Sequence, residues 1–99
     1  MSESKAAGKV LDVFNTLLNA GFEGSTIEQI SHSSDMTYSS VRRALKTLEQ
    51  HQFAFEYTAP GSKVVYWRIG EGVVHIANNY RKQALRAIES IETQYFETT

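Results

Sequence analysis

The stretch that decides the fold is IEQISHSSDMTYSSVRRALKTLEQ, residues 27–50. It contains two short amphipathic patterns, separated by turn-forming residues at 31–35. Thr26 and Gln29 have the spacing of a capping box for the first helix, and Thr37 is placed to cap the second helix, which runs to about His51. Asp35 stands where the turn needs a left-handed residue. The stretch therefore predicts two helices joined by a tight turn.

An earlier helix is predicted over residues 4–20, because apolar side chains recur there at steps of three and four. We expect Gly21 to end this helix in the left-handed conformation, which glycine adopts at low cost. Phe22, in the connection that follows, is expected to fill the core. The predicted apolar face of the helix comprises Ala7, Val10, Leu11, Phe14, Leu17 and Leu18.

After residue 52 the apolar residues no longer recur every three or four positions but at every second position. FAFEYT at 53–58 and VVYWRI at 64–69 are predicted strands, joined by the proline-glycine turn APGSK. The aromatic residues Phe53, Phe55, Tyr66 and Trp67 are expected to form the hairpin core. Together with a long last helix, this order predicts a mostly α fold with a small β-hairpin: a winged helix-turn-helix with a three-helix core.

The last helix is predicted over residues 73–96 and would be about 36 Å long. That length exceeds a compact domain of this size, so we divide the chain into a winged helix-turn-helix domain, 1–72, and a dimerisation helix, 73–99. Residues 73–80 are expected to pack on their own domain. The alternative is a helix folded back over the first helix of its own chain. The predicted dimerisation residues are Tyr80, Ala84, Ala87, Ile88, Ile91 and Tyr95.

Composition excludes several classes of protein. The chain has 99 residues and no cysteine, which rules out disulfides and thiolate metal sites. No apolar run has membrane length and the N-terminus is polar, so we expect a cytoplasmic protein without a membrane segment. His32, His51 and His75 are scattered, and no glycine-rich phosphate loop follows a strand. We therefore expect no enzyme activity, metal, cofactor or small-molecule ligand.

Residues 10–80 resemble the DNA-binding domain of IclR-type transcription regulators, most densely over the stretch quoted first. The serine pair Ser39–Ser40, then Val41 and Arg43, and the ending Thr47-Leu48-Glu49 follow that family's pattern. Asp35 replaces its usual turn glycine, and Ala44 replaces a leucine. The resemblance implies a winged helix-turn-helix that binds double-stranded DNA. It does not extend to the family's effector domain, so it implies no sensing of a small molecule.

The helix over residues 37–51 has two faces. Val41, Ala44, Leu45 and Leu48 form the apolar face, while Arg42, Arg43 and Lys46 give the opposite side three cations and no acid. Arginine can bind guanine O6 and N7 together, and short hydroxyl side chains suit phosphates and base edges. The predicted DNA-binding residues are Thr37, Tyr38, Ser39, Ser40, Arg42, Arg43, Lys46, Ser62, Lys63 and Arg68.

Three of these residues have an alternative role. Tyr38 stacks on DNA or packs on the hairpin; Lys63, at the hairpin tip, contacts a phosphate or lies in a plain solvated turn. Arg68 reaches a phosphate or pairs with Glu56 across the hairpin. Residues 36–69 contain five cationic and two acidic side chains, which gives this segment a net charge of +3, although the net charge of the whole chain is −1. The basic share thus falls on the helix and hairpin that would contact DNA.

We weigh three functions. The first is a dimeric, sequence-specific DNA-binding regulator of transcription. The second is a winged-helix module for protein–protein assembly, which would bind no duplex. The third is binding of RNA or single-stranded DNA, which would need exposed aromatic residues, whereas the hairpin aromatics are better explained as core.

Overall fold

The computed structural model describes residues 2–96 and confirms the predicted fold class. Three helices come first: α1 (Ser2–Asn19), α2 (Ile27–Ser34) and α3 (Tyr38–Gln50). An antiparallel hairpin of β1 (Ala54–Tyr57) and β2 (Tyr66–Ile69) follows, and α4 (Glu71–Phe96) ends the described chain. Within residues 2–96, no helix combines the length and apolar character that crossing a membrane requires.

The helix-turn-helix is stabilised by local hydrogen bonds that the sequence predicts. Thr26 Oγ1 accepts from the Gln29 amide at 3.1 Å, and Gln29 Oε1 accepts from the Thr26 amide at 3.0 Å. Thr37 Oγ1 accepts from the Ser40 amide at 3.2 Å and so caps α3. Asp35 has φ 53°, the left-handed conformation that the turn needs. These caps fix where α2 and α3 begin.

The core lies where α1, α2, α3 and the hairpin meet. Its buried residues are Val13, Leu17, Ile27, Ile30, Val41, Ala44, Leu45, Leu48, Ala54 and Trp67. The buried side of α1 is rotated from the predicted face, because Val13 is fully buried while Leu11 and Leu18 are 60% and 43% exposed. The prediction that Phe22 fills the core is wrong, since its side chain is fully exposed.

The register of the hairpin decides which strand residues face the core. Ala54 pairs with Ile69, Phe55 with Arg68 and Glu56 with Trp67. Because side chains alternate along a strand, Ala54 and Trp67 share the inward face and Phe55 points outward. Ala54 and Trp67 are buried, whereas Phe55 is 42% exposed. The prediction that Phe55 belongs to the hairpin core is therefore wrong.

Trp67 also joins the hairpin to the start of α2. Its amide donates to the Ser25 carbonyl at 2.7 Å, and its carbonyl accepts from the Ser25 amide at 2.9 Å. Gly24 allows this approach: its φ is +81°, and a Cβ there would lie 2.3 Å from the Trp67 carbonyl oxygen. The β1–β2 hairpin, which is the wing of this fold, is thus attached to the helix-turn-helix by backbone hydrogen bonds as well as by the buried indole of Trp67.

α4 projects from the domain. No residue of α4, within 71–96, is buried. Val73 is half-buried at its root, but Ile76 and Tyr80 are 57% and 73% exposed. The radius of gyration is 18.4 Å, against about 13 Å for a compact domain of this length. The prediction that residues 73–80 pack on their own domain is therefore wrong, and the alternative of a helix folded back over α1 is not what the structure shows.

Candidate nucleic-acid interface

The solvent side of α3 is an exposed polar surface held in place by a buried one. Val41, Ala44, Leu45 and Leu48 are all buried against α1, α2 and β1. The opposite side presents what we call the outer face, formed by Tyr38, Ser39, Arg42, Arg43 and Gln50, all exposed. Within residues 5–96, no carboxylate forms an ion pair with Arg42 or Arg43. Both guanidinium groups are therefore available to a ligand.

Lys46 differs from the two arginines. Its Nζ lies 3.3 Å from Glu49 Oε1 and 3.3 Å from Glu56 Oε1, and 5.6 Å from the centre of the Trp67 ring. The expectation that this side of α3 carries three cations and no acid is therefore wrong. Lys46 joins α3 to the hairpin, because Glu56 belongs to β1. Its predicted contact with DNA stays a prediction. A DNA phosphate would have to compete with the two carboxylates for the ammonium group of Lys46.

Two of the hydroxyl groups predicted to contact DNA bind each other. Thr37 Oγ1 donates to Ser40 Oγ at 3.0 Å while it accepts from the Ser40 amide. Ser40 is half-buried, whereas Ser39 is exposed. Within the described residues, Ser39 is thus the hydroxyl on α3 best placed for a ligand. Thr37 and Ser40 act first in fixing the start of the helix.

Tyr38 borders the wing. It is 50% exposed and lines a crevice of about 340 Å³ together with Lys63, Val64 and Val65. Of the two roles considered for Tyr38, packing beside the hairpin is the one its position supports directly. Half of its surface remains open to solvent. The crevice therefore brings the start of α3 and the base of the wing together.

The wing tip is an ordered turn. The Ser62 amide donates to the Ala59 carbonyl at 3.0 Å, and Gly61 at the third position has φ +82°, as a type II turn requires. Ser62 Oγ accepts from the Val64 amide at 3.0 Å. Lys63 is exposed beside this turn. The tip thus presents one cation on a defined backbone.

Arg68 does not join this surface. The predicted pair with Glu56 is wrong, because Glu56 lies across from Trp67 and binds Lys46. Arg68 points to the other side of the hairpin, with its guanidinium carbon 3.9 Å from the centre of the Tyr57 ring. Its Nε donates to the Glu23 carbonyl at 3.4 Å. The structure therefore separates Arg68 from the outer face of α3.

Arg68 instead borders an apolar groove of about 520 Å³. The exposed aromatic and aliphatic residues that the sequence assigned to the core meet here: Leu18, Phe22 and Phe55. Ile69 and Val74 complete the apolar lining, so the groove reaches the root of α4. We call it the apolar groove below. No group of three or more histidine, aspartate or glutamate residues in the described chain is arranged to bind a metal ion.

Sequence reasoning missed two cations beside α3. Lys5 and Lys9, on α1, line a groove with Ser40, Arg43 and Thr47. The signal was present, because the two lysines are four positions apart and Val10, next to Lys9, belongs to the apolar face of α1. That this side of α1 borders α3 follows only from the packing of the three helices.

Comparison with known proteins supports the resemblance drawn from the sequence. Residues 6–54 match the IclR helix-turn-helix domain family. The chain thus resembles the winged helix-turn-helix of IclR-type regulators over α1, α2, α3 and the start of the hairpin. No significant match is found among curated proteins.

Solved structures share the fold at low sequence identity. ZitR of Lactococcus lactis, wild type in complex with DNA, is 19% identical with a TM-score of 0.55, covering 88% of this chain and 62% of ZitR. A mutant of S. aureus MepR is 14% identical with a TM-score of 0.60, covering 91% of this chain and 66% of MepR. The apo-Zalpha domain of zebrafish PKZ is 21% identical with a TM-score of 0.60, and the match covers 68% of this chain and 98% of the Zalpha chain. These likenesses establish a winged-helix fold.

Proposed function

We propose that this chain, which matches the IclR helix-turn-helix domain over residues 6–54, binds specific double-stranded DNA sequences as a homodimer and regulates transcription. The observation that carries the proposal is the outer face of α3, where Arg42 and Arg43 are exposed and free of acidic partners within the described chain. The structure of ZitR in complex with DNA supports this use of the fold. We place such a regulator in the cytoplasm.

In the proposed complex α3 enters the major groove, which is about 12 Å wide and admits one helix. Arg43 and Arg42 bind guanine edges or adjacent phosphates, and Ser39 donates from the first turn of α3. Lys63 and Ser62 at the wing tip contact the backbone. Thr37 and Ser40 hold the helix start in position. Lys46 contributes positive charge from the edge of the surface, whereas Arg68, predicted from the sequence to contact DNA, lies on the other side of the hairpin.

The first test removes one guanidinium from the outer face. Arg43→Ala is expected to cost about 1–3 kcal/mol in binding a selected duplex, roughly 5- to 150-fold in Kd, and to relax base preference at one position. Lys46→Ala should cost less, because Glu49 and Glu56 already share that ammonium group. Fluorescence anisotropy with one labelled duplex, at one fixed salt concentration, measures both.

Arg86→Ala provides the matched control, because it removes one exposed arginine from α4, far along the chain from α3. We expect its Kd to stay within about twofold of that of the unsubstituted protein, as for a surface substitution away from the interface. An Arg43→Ala variant that binds the selected duplex as tightly as the unsubstituted protein would remove Arg43 from the interface.

The homodimer rests on the apolar surface of α4. Tyr80, Ile88, Ile91 and Tyr95 are each at least half exposed, at 73%, 50%, 52% and 66%. Together with Ala84 and Ala87, these residues lie on one side of α4 at steps of three and four, with Ile88 directly after Ala87, as a helix that pairs with another requires. Small alanines allow two helices to approach closely. A monomer would leave this apolar stripe exposed to water. A domain with so small a core gains little stability from burial, so the free-energy cost of that exposure favours a partner.

The apolar groove favours the same partner, a second copy of this chain. Val74 lines the groove and belongs to α4, so the groove lies at the root of the helix that carries the stripe. A symmetric pair would cover both with identical residues from each copy. Two outer faces would then contact two half-sites, and the number of phosphates neutralised would double.

A protein-assembly module is the second candidate, and the same apolar groove is the observation that favours it. The two functions differ in their response to salt. Duplex binding should weaken steeply as salt rises, because each neutralised phosphate releases counterions. A module that only binds proteins should show no duplex binding even at low salt.

A further inference from the structure

A second basic surface lies beside the outer face of α3, in the groove between α1 and α3. Lys5 and Lys9 line one wall, and Arg43, Ser40 and Thr47 line the other. Ala6, Val10 and Ala44 complete the lining, and the groove has a volume of about 330 Å³. We call it the α1–α3 groove. Three cations thus line one concave surface together with apolar and hydroxyl side chains.

The charge of this groove is not neutralised by its own lining. None of its eight lining residues is acidic. Within residues 5–96, no ion pair involves Lys5, Lys9 or Arg43. Lys46, on the same helix as Arg43, is held by two carboxylates instead. The α1–α3 groove is therefore a site of concentrated positive charge near the outer face of α3, and an anion is its natural ligand.

Its position relative to α3 indicates which anion. The wing crevice with Lys63 borders the first turn of α3 at Tyr38, whereas the α1–α3 groove borders the side of α3 that bears Ser40, Arg43 and Thr47. On the helix these two sides lie on opposite flanks of the outer face, given 3.6 residues per turn. A helix in the major groove has one phosphate backbone on each flank. Cations on both sides of α3 match that arrangement.

We propose that the α1–α3 groove binds the phosphodiester backbone along one edge of the major groove, with Lys5 and Lys9 contacting neighbouring phosphates. This inference rests on the proposed DNA-binding function. Residues four apart on a helix have Cβ atoms about 5–6 Å apart, and one DNA strand carries a phosphate every 3.4 Å along the axis, roughly. Two flexible ammonium groups on one helix face can therefore reach successive phosphates. The wing holds the opposite strand through Lys63.

In this arrangement the lysines position the protein and do not read sequence. Lysine binds phosphate as a point charge, without the planar geometry by which arginine distinguishes bases. Arg43 can contact either phosphates or bases, because it lines the α1–α3 groove and also belongs to the outer face of α3. α1 thereby fixes how deeply and at what angle α3 enters the major groove.

The test is the salt dependence of duplex binding by the full chain carrying Lys5→Ala and Lys9→Ala together. The slope of log K against log salt should fall by about 1.8 for each protomer bound, since each phosphate contact contributes about 0.9. The ratio of affinities for the selected duplex and a scrambled one should stay the same. The Lys5→Arg, Lys9→Arg variant keeps the charges and should keep the slope of the unsubstituted protein.

The control is Lys82→Ala with Arg86→Ala, which removes two exposed cations at the same spacing from α4. Its slope should equal that of the unsubstituted protein. If the unsubstituted protein binds the duplex and the Lys5, Lys9 double alanine variant has the same slope, the α1–α3 groove does not bind phosphate, although the proposed function stands. If the unsubstituted protein binds no duplex at any salt concentration, both the function and this inference fail.

Discussion

Replacing Trp67 by alanine is expected to lower the free energy of unfolding by about 3–5 kcal/mol, the usual cost of removing a large aromatic side chain from a core. Trp67 is 1% exposed and is the largest fully buried side chain among the described residues. It fills the space between the hairpin and the helices, and its backbone pairs with Ser25. We therefore expect the wing to separate from α2 before the three helices unfold.

Urea denaturation followed by circular dichroism measures this loss, at one protomer concentration because dimer stability depends on it. Phe55→Ala is the control: it removes an aromatic ring from the same hairpin, but one that is 42% exposed within a protomer, so the two variants are compared at a concentration below the Kd of the proposed dimer. The free energy of unfolding should fall clearly less in Phe55→Ala than in Trp67→Ala. Equal losses for the two variants would mean that the indole of Trp67 is not the contact that holds the wing.

Replacing Ile91 by glutamate is expected to abolish the homodimer. Ile91 belongs to the α4 stripe and is 52% exposed in the single chain, so the proposed dimer would bury it. An unpaired charge in such an interface costs about 3–5 kcal/mol, roughly 10²- to 10⁴-fold in the Kd of the dimer. Light scattering should give half the mass of the unsubstituted protein. The salt slope of duplex binding should also fall to about half, because one protomer neutralises half as many phosphates.

Lys82→Glu introduces the same carboxylate on the opposite side of α4, nine positions before Ile91 and so about half a turn away from the stripe. This variant should remain dimeric. If the unsubstituted protein already has the mass of a monomer at the same concentration, the stripe has another partner. If Ile91→Glu stays dimeric, the interface lies elsewhere, and the apolar groove becomes the next surface to examine.

The sequence predicts the helix-turn-helix well because short-range chemistry determines it. The capping box at Thr26, the cap at Thr37 and the left-handed Asp35 involve residues at most three or four positions apart. The two faces of α3 follow from periodicity in the same way. Each of these features can be derived without knowing what packs against the helix.

Other features depend on the packing of distant segments and were predicted less well. Leu18, Phe22 and Phe55 look like core residues, yet they are exposed around one groove. A sequence does not distinguish an apolar residue that faces its own core from one that faces a partner. The ion pairs of Lys46 were missed for a similar reason, because Glu56 is ten positions away and approaches only when the hairpin folds onto α3.

The division of the chain near residue 72 stays a prediction. α4 begins at Glu71, immediately after Gly70, whose amide donates to the Phe53 carbonyl at 2.9 Å. The Gly72 amide likewise donates to the Gln52 carbonyl at 2.9 Å. The root of α4 is thus attached to the start of β1, while the rest of the helix extends away.

The measurement that tests the central claim most directly is NMR mapping of the protein with a duplex enriched by selection from a random library. We predict that the backbone amide shifts change along α3 from Tyr38 to Thr47, at the wing tip around Lys63, and at Lys5 and Lys9 on α1. The surface of α4 beyond Tyr80 should be unaffected. Selection that enriches no duplex, or shift changes confined to α4 and the apolar groove, would contradict the account.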